Sequence, residues 1–204
     1  MKILALELST ARGSLAWLDG EIEDGHEWPN DRKNSSTFFE NLNAIMKKSG
    51  RPETIIVGLG PGSYAGTRIA ISAAIGLQLS SDARLTGLPS ICAIQCDARE
   101  YCAIGDARRK SFFVARIRGH ELVEGPMLFS QSELQAKLES LEAGIPIFSS
   151  EPLPQFERAV IRYPSALLLA RLAREPHRSF SLPPLEPIYL REPHITFPKL
   201  RIEA

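Results

Sequence analysis

One segment of this 204-residue chain concentrates residue types that bind anions. Residues Gly58 to Gly76 read GLGPGSYAGTRIAISAAIG, and the pattern changes from a β-branched run through glycines into a helix. A strand, a glycine turn and a helix start together aim backbone N–H groups and the positive end of a helix dipole at an anion. The segment therefore predicts a phosphate loop, with the candidate residues Gly60, Gly62, Ser63, Gly66, Thr67 and Arg68.

Two familiar phosphate motifs do not fit this loop. No lysine precedes Thr67, as a Walker A loop requires, and the glycine spacing differs from GxGxxG. An alternative interpretation needs no ligand: Pro61 and Gly62 form a turn, and Ser63 or Thr67 caps the helix. The spacing alone leaves both interpretations open.

Other chemistry has weaker support. The four histidines stand in separate segments with no HxxxH or HExxH spacing, so no metal site is expected. The three cysteines match neither a disulfide framework nor paired zinc knuckles, which favours buried thiols. Ser63 follows Gly62 but has no identifiable base and no GxSxG elbow. We therefore expect no hydrolytic centre.

The elements that must position the glycine loop form a first lobe, predicted to cover residues 1–97. A three-stranded meander opens the chain. Thr37 and Glu40 fit a capping box at the start of a helix that ends at Gly50. The further predicted elements are a strand at 54–57, a helix at 67–80, a strand at 85–88 and a short helix after Pro89.

A second, smaller lobe is predicted over residues 98–204. Strands at 101–105 and 111–117 flank a turn and form a hairpin. A third strand is expected near Met127, followed by a helix at 130–141, a strand at 145–148 and a helix at 165–174. The tail from Ser181 holds five prolines, so we expect it to be extended.

The two helices of the first lobe carry more apolar surface than a chain of this size covers easily. The first presents a stripe of Phe38, Leu42 and Ile45 at helical spacing. The second is apolar nearly all round, and one of its stripes consists mostly of small residues: Ile69, Ser72, Ala73, Gly76 and Ser80. Because an uncovered apolar face usually marks a contact with another molecule, these residues are candidates for partner binding.

Charge and hydropathy argue against a generally polyanion-binding protein, a membrane protein and a secreted protein. The 24 basic residues balance the 24 acidic ones, so no global charge attracts polyanions. No apolar run approaches the roughly 20 residues that a transmembrane helix needs. The first residues carry one lysine and lead into a polar segment, unlike a signal peptide. The expected location is the cytoplasm, without a membrane.

Residues 58–76 resemble the GxGPGSFTGxRIGxxxAxGLA segment of the TsaB (YeaZ) family, helpers in making threonylcarbamoyladenosine (t6A) on tRNA. Three further segments resemble the family in the same order. KILALELST at the start resembles KILAIDTST, Gly105 to Phe113 (GDARRKSFF) resembles IDARRGEVY, and Glu186 to Arg191 (EPIYLR) resembles EPxYLR. The resemblance spans most of the chain.

The resemblance implies an α/β fold of the actin/Hsp70/sugar-kinase (ASKHA) type, with two lobes on mixed sheets and a reduced second lobe. It also implies a non-catalytic scaffold or activating subunit of the t6A37 modification complex. Such proteins bind the catalytic paralogue TsaD through the two helices of the first lobe, in an assembly that includes the ATPase TsaE. On this basis tRNA is contacted only indirectly, and a homodimer is an alternative when the partner is absent.

Departures from the family bear on nucleotide binding. Glu7 replaces an aspartate that contacts metal and nucleotide in active members of the fold, and Asn34 to Ser36 replace a histidine of the family. We therefore expect no cofactor, with at most weak binding of ATP or ADP by a vestigial loop that includes Glu7. The alternative is a stand-alone ATP-dependent enzyme of the same fold, with Glu7 or Asp106 holding magnesium.

The densest basic cluster is Arg108, Arg109 and Lys110, in the turn that follows Asp106. One interpretation is a solvated hairpin tip whose turn is fixed by the aspartate. The other is a contact with the partner complex or its tRNA. The sequence leaves both open.

Overall fold

The computed structural model of the chain describes residues 1–30, 35–142 and 144–191. Its strands form two five-stranded mixed sheets, one in each lobe. None of the helices in the described ranges has the length and apolarity needed to span a bilayer.

The first sheet has the strand order β3-β2-β1-β4-β5. The pairs β1–β2 and β2–β3 are antiparallel, whereas β1–β4 and β4–β5 are parallel. Its strands are β1 (Lys2–Glu7), β2 (Arg12–Asp19), β3 (Ile22–Pro29), β4 (Thr54–Gly58) and β5 (Arg84–Leu88). The predicted meander and the predicted strands at 54–57 and 85–88 are confirmed.

Both faces of this sheet are buried, because alternate side chains of a strand point to opposite faces. Leu4 and Leu6 of β1 lie in the core under two helices, α1 (Ser36–Ser49) and α2 (Tyr64–Ser81). Ile3 and Ala5 lie in a second core that α4 (Ala166–Leu172) covers. The two helices that carry the partner-binding candidates therefore share one side of the first lobe.

Both helix starts differ from the sequence-based expectation. The first helix begins at Ser36 after the N-cap residue Ser35, whose side chain makes no capping hydrogen bond, so the expected capping box at Thr37 is wrong. The second helix begins three residues earlier than expected, because the Ser63 hydroxyl accepts a hydrogen bond from Gly66 N at 3.2 Å. The expected end of α1 at Gly50 is confirmed.

The second sheet has the strand order β10-β9-β6-β7-β8. Its pairs β6–β7 and β7–β8 are antiparallel, and β6–β9 and β9–β10 are parallel, so it repeats the pattern of the first sheet. Helix α3 (Gln131–Glu139) packs its Leu134 and Leu138 against this sheet. The strands are β6 (Glu100–Asp106), β7 (Ser111–Arg118), β8 (Glu121–Ser130), β9 (Ile147–Ser149) and β10 (Ala159–Ile161).

The chain returns to the first lobe after the second sheet. In α4, Leu169 and Ala170 share a core with Ile3 and Ala5, and Ala166 N donates a hydrogen bond to Ser14 Oγ at 2.9 Å. Beyond α4, the segment to Arg191 contains no helix. It is tied to the first lobe by hydrogen bonds between Ser181 and Gly87, and from Ile188 N to Leu59 O at 2.8 Å.

Candidate functional site

The partner-binding candidates of α1 are part of the core. Phe38, Leu42 and Ile45 are buried against the first sheet and pack with residues such as Trp17 and Ile55. The reason is that an amphipathic helix turns its continuous apolar stripe toward its own sheet. These three side chains therefore position α1 and offer no exposed surface to another molecule.

The candidates of α2 lie at or near the surface. Ser72, Gly76 and Ser80 are exposed, whereas Ile69 and Ala73 are half-buried and pack against the core. Sequence reasoning missed three large apolar side chains that the helices expose: Phe39 is 49% exposed, Ile75 41% and Leu79 81%. Their signal in the sequence is that they are apolar but lie outside the buried stripe of their helix.

We use the term helix face for the outward residues Phe39 of α1 and Ser72, Ile75, Gly76 and Leu79 of α2. On α2 these positions follow one another at intervals of three and four residues, so they share one side of the helix. Small and apolar side chains there allow close approach by another helix and offer it apolar surface. Such an arrangement is suited to binding a protein.

The glycine loop packs closely against the turn between β1 and β2. A Cβ atom on Gly62 would lie 2.1 Å from Ser9 O, and one on Gly66 would lie 2.1 Å from Leu8 O. Ser63 N donates a hydrogen bond to Ser9 O at 2.5 Å. The glycines therefore allow this close contact between chain segments, and Ser63 uses its hydroxyl to cap α2.

Glu7 lies beneath this loop and is fully buried. A Cβ atom on Gly58 would lie 1.7 Å from Glu7 Oε2, so the absent side chain makes room for the carboxyl group. Glu7 Oε1 accepts a hydrogen bond from Ser9 N at 2.6 Å, whereas Oε2 has no partner among the residues that the structure describes. Burial raises the pKa of Glu7, and contacts with Ser9 and Ser90 oppose that rise only in part.

Replacing Glu7 by glutamine is expected to stabilise the chain at neutral and higher pH. Because the folded state raises this pKa above its ordinary value of 4.5, the folded protein binds the proton more tightly than the unfolded one. The wild type therefore loses stability as pH rises from 4.5 to the raised pKa, and the neutral amide does not. Urea unfolding of both proteins at about pH 5 and about pH 8 measures the difference. If the two proteins differed in free energy of unfolding by the same amount at both pH values, the raised pKa of Glu7 would be contradicted.

A cleft of about 570 Å³ lies between the two lobes. Its walls come from the turn between β1 and β2, the start of α2, the turn between β6 and β7, and the segment Pro187–Arg191. Of the predicted loop residues, Gly62, Ser63 and Thr67 line the cleft, whereas Glu7, Gly60, Gly66 and Arg68 do not. The structure thus brings the glycine loop together with the basic turn, which the sequence did not predict.

The turn between β6 and β7 holds its basic residues in an unusual backbone conformation. Arg108, Arg109 and Lys110 all have positive φ, at 65°, 52° and 59°. Asp106 fixes the turn, since its carboxylate accepts hydrogen bonds from Arg108 N at 2.6 Å and from Arg108 Nη1 at 3.1 Å. The expectation that this aspartate fixes the turn is confirmed.

The remaining titratable candidates lie apart from one another. His26 is on β3, and His120 Nδ1 lies 2.9 Å from Cys92 O. His177 follows α4, while His194 and Asn34 fall outside the described residues. Cys92 and Cys102 are buried and Cys96 is half-buried, and burial raises the pKa of Cys92 to about 12. Within the described ranges, no group of three or more His, Cys, Asp or Glu residues could hold a metal ion.

Comparison with known proteins gives both sequence and structural relatives. The chain matches no protein-family model. It is 32% identical over 96 residues to the tRNA threonylcarbamoyladenosine biosynthesis protein TsaB of Escherichia coli (strain K12), a match that covers 45% of this chain and 41% of that relative. The matched part thus spans less than half of the relative's length.

Two solved structures from Pseudomonas aeruginosa share the fold. One, described as an uncharacterized protein with similarity to the peptidase YEAZ, has a TM-score of 0.70 and 21% identity, over 93% of this chain and 99% of its own. The other, YeaZ, has a TM-score of 0.68 and 19% identity, over 85% of this chain and 91% of its own.

Two mixed sheets with the same strand pattern, helices on the first sheet and a cleft between the lobes give a two-lobed α/β fold, as the expected actin/Hsp70/sugar-kinase-like architecture requires. The sequence match is thus to a TsaB protein over part of the chain, and both solved structures that share the fold carry the name YeaZ in their descriptions.

Proposed function

We infer that this chain is a non-catalytic scaffold or activating subunit in t6A modification of tRNA. It binds a TsaD-like catalytic subunit through the helix face and acts in an assembly with a TsaE-like ATPase. The observation that carries the proposal is the exposure of Phe39, Ile75 and Leu79, with small residues on α2, on the two helices that cover one side of the first sheet. The similarity to a relative named for t6A biosynthesis supports the pathway.

The geometry of α2 favours a helical partner on this face. Gly76 has no heavy atom within 4 Å of the position of a Cβ, so it presents bare backbone at the surface. Leu79 lies one helical turn further along and exposes most of its side chain. A partner helix can contact the backbone at Gly76 and cover Leu79 and Ile75, which removes apolar surface from water.

Co-expression with the TsaD-like protein of the same organism tests the proposal. We expect the two proteins to co-elute in size-exclusion chromatography. The variant Leu79→Asp is expected to weaken the complex at least about 30-fold, since removal of a central apolar contact commonly costs about 2 kcal/mol or more. Val123→Asp is the matched control, because Val123 is also an exposed apolar residue but lies on β8 of the second lobe. Failure of the wild type to co-elute would reject the proposal.

The same face would also provide the contact of a homodimer when the partner is absent. A homodimer that uses the helix face would bury the same apolar side chains. Mass measurements at increasing concentration detect it, and Leu79→Asp is expected to shift the protein toward the monomer. Dimerisation that persists unchanged in this variant would place the contact elsewhere.

We propose no resident cofactor, with at most weak ATP or ADP binding. Glu7, the residue at the metal-contacting position of active members of the fold, is buried away from the cleft. At the start of α2, Ser63 N already donates to Ser9 O and Gly66 N to Ser63 Oγ. Calorimetry with ATP and magnesium tests this: micromolar binding with turnover would instead favour an ATP-dependent enzyme.

A further inference from the structure

Two exposed tyrosines meet at the mouth of the cleft. Tyr64 begins α2, and Tyr189 belongs to the tail segment that returns to the first lobe. Their ring centroids are 5.4 Å apart with an interplanar angle of 35°. Tyr64 is 53% exposed and Tyr189 is 42% exposed, although large aromatic side chains usually bury most of their surface. The pair therefore presents ring surface to whatever enters the cleft.

Three arginines belong to the same region as these rings. Arg109 and Arg191 line the same cleft, and neither has a hydrogen bond or an ion pair with any residue that the structure describes. Arg68 is engaged with Tyr64: its guanidinium lies over the ring at 5.0 Å from the centroid, and its Nη1 donates a hydrogen bond to Tyr64 Oη at 2.5 Å. The acidic groups of the cleft are already engaged, because Asp106 accepts from Arg108 and Glu151 Oε1 accepts from Asp106 N at 2.8 Å.

This combination of groups matches single-stranded nucleic acid. Unpaired bases stack on aromatic rings and on guanidinium planes, and phosphodiester groups pair with arginine. The chain as a whole has a formal net charge of zero, so the positive charge is local to this site. We define the cleft mouth as the cleft-lining residues Tyr64, Arg109, Tyr189 and Arg191, together with Arg68, which lies outside the cleft lining and over the Tyr64 ring. These residues offer both kinds of contact.

We propose that the cleft mouth binds a single-stranded segment of RNA directly. The choice of RNA among polyanions rests on the proposed function, which places the chain in tRNA modification. The resemblance implies that tRNA is contacted only indirectly, whereas the basic turn at Arg108 to Lys110 leaves a contact with tRNA open. The exposed tyrosine pair and the unpaired arginines point to a contact made by this chain itself.

Other anionic partners fit the surface less well. An acidic peptide would pair with Arg109 and Arg191 but would leave the two rings without flat partners. A free nucleotide has both a base and phosphates, yet two N–H groups that a phosphate would use at the start of α2 already have acceptors: Ser63 N donates to Ser9 O and Gly66 N donates to Ser63 Oγ. An RNA strand needs no such cradle, since its base and phosphates contact exposed groups at the rim.

Fluorescence anisotropy with a labelled single-stranded oligoribonucleotide of about ten nucleotides tests the proposal on the isolated chain. We expect saturable binding that weakens as salt rises. Tyr189→Ala is expected to weaken binding about tenfold or more, whereas Tyr189→Phe retains the ring and the affinity. Arg109→Glu and Arg191→Glu are expected to weaken binding and to flatten its salt dependence. Arg84→Glu is the control, because exposed Arg84 begins β5 at the edge of the first sheet opposite the glycine loop.

The outcomes separate this proposal from its rivals and from the proposed function. Absence of saturable binding, or equal weakening by Arg84→Glu, would overturn it. Tighter binding of ATP than of the oligonucleotide would indicate a mononucleotide site and overturn the proposal. Full displacement of the oligonucleotide by polyglutamate would show that charge alone explains the binding, and it would also overturn the proposed stacking on the tyrosine rings. Because no partner protein is present, RNA binding without co-elution rejects only the proposed scaffold role. Co-elution without RNA binding rejects only this inference.

Discussion

Replacing Gly66 by alanine is expected to destabilise the protein by about 3 kcal/mol. A Cβ atom at this position would lie 2.1 Å from the backbone oxygen of Leu8 and 3.2 Å from Ser63 Oγ. A backbone atom cannot move aside as a flexible side chain can, so α2 would have to separate from the turn between β1 and β2. Urea unfolding of both proteins measures the loss.

Gly76→Ala provides the matched comparison within the same helix. No heavy atom lies within 4 Å of its Cβ position, so only helix propensity changes. Alanine is the better helix former by about 1 kcal/mol, and a gain of that order is expected. If both alanine variants changed stability in the same direction, the close contact between Gly66 and Leu8 O would not explain why glycine is needed at position 66.

The second large effect is expected from Gly76→Arg. This variant should abolish co-elution with the TsaD-like subunit, because a long charged side chain would stand where the partner helix approaches. The isolated chain should become more stable, since arginine is a better helix former than glycine by roughly 0.8 kcal/mol. Chromatography of the complex and thermal unfolding of the chain alone measure the two effects. Opposite changes in binding and stability exclude unfolding as the cause of lost binding.

Ala136→Arg is the control for Gly76→Arg. Ala136 is an exposed small residue on α3 of the second lobe, so the same side chain is added to a helix surface outside the helix face. We expect the complex to survive this change. A complex that tolerates Gly76→Arg but not Ala136→Arg would place the docking surface on the second lobe. Ala73 is less suitable as a target because it is half-buried against the core.

Most elements could be predicted because their signals are local. The end of α1 follows from Gly50, and the hairpin of β6 and β7 follows from two apolar runs around a polar turn. Strand β10 (Ala159–Ile161) was missed because three residues carry no periodicity, and its position depends on parallel pairing with β9. The start of α2 was predicted too late because Ser63, rather than Thr67, caps the helix.

The helix face shows a limit of pattern reasoning. The repeat of Phe38, Leu42 and Ile45 predicts an amphipathic helix. It predicts a partner-binding surface only if no sheet of the same chain covers that stripe. In the structure the first sheet takes that stripe, so an outward surface consists of the apolar residues that break the pattern. Leu79 and Phe39 belong to this group. An apolar residue outside the stripe is therefore the more useful signal.

The cleft could not be predicted from spacing. Ser9, Arg109 and Tyr189 line one cavity, yet they come from three distant parts of the chain. Their proximity depends on the return of α4 and the tail to the first lobe. Sequence analysis identified the basic turn and the EPIYLR segment separately, but only the fold shows that they face one space.

Because the two sheets share one strand pattern, the hairpins β1–β2 and β6–β7 occupy equivalent positions, and the turn of each lines the cleft. The tip between β1 and β2 supplies Ser9 and Thr10, and the tip between β6 and β7 supplies Arg108 and Arg109. The walls are thus related by an internal pseudo-symmetry in backbone but opposed in chemistry, with hydroxyl groups on one side and cations on the other. A ligand with one anionic end can enter such a space in only one orientation. The repeated strand pattern therefore gives the cleft two similar walls, and the different residues in the two hairpin turns give those walls different chemistry.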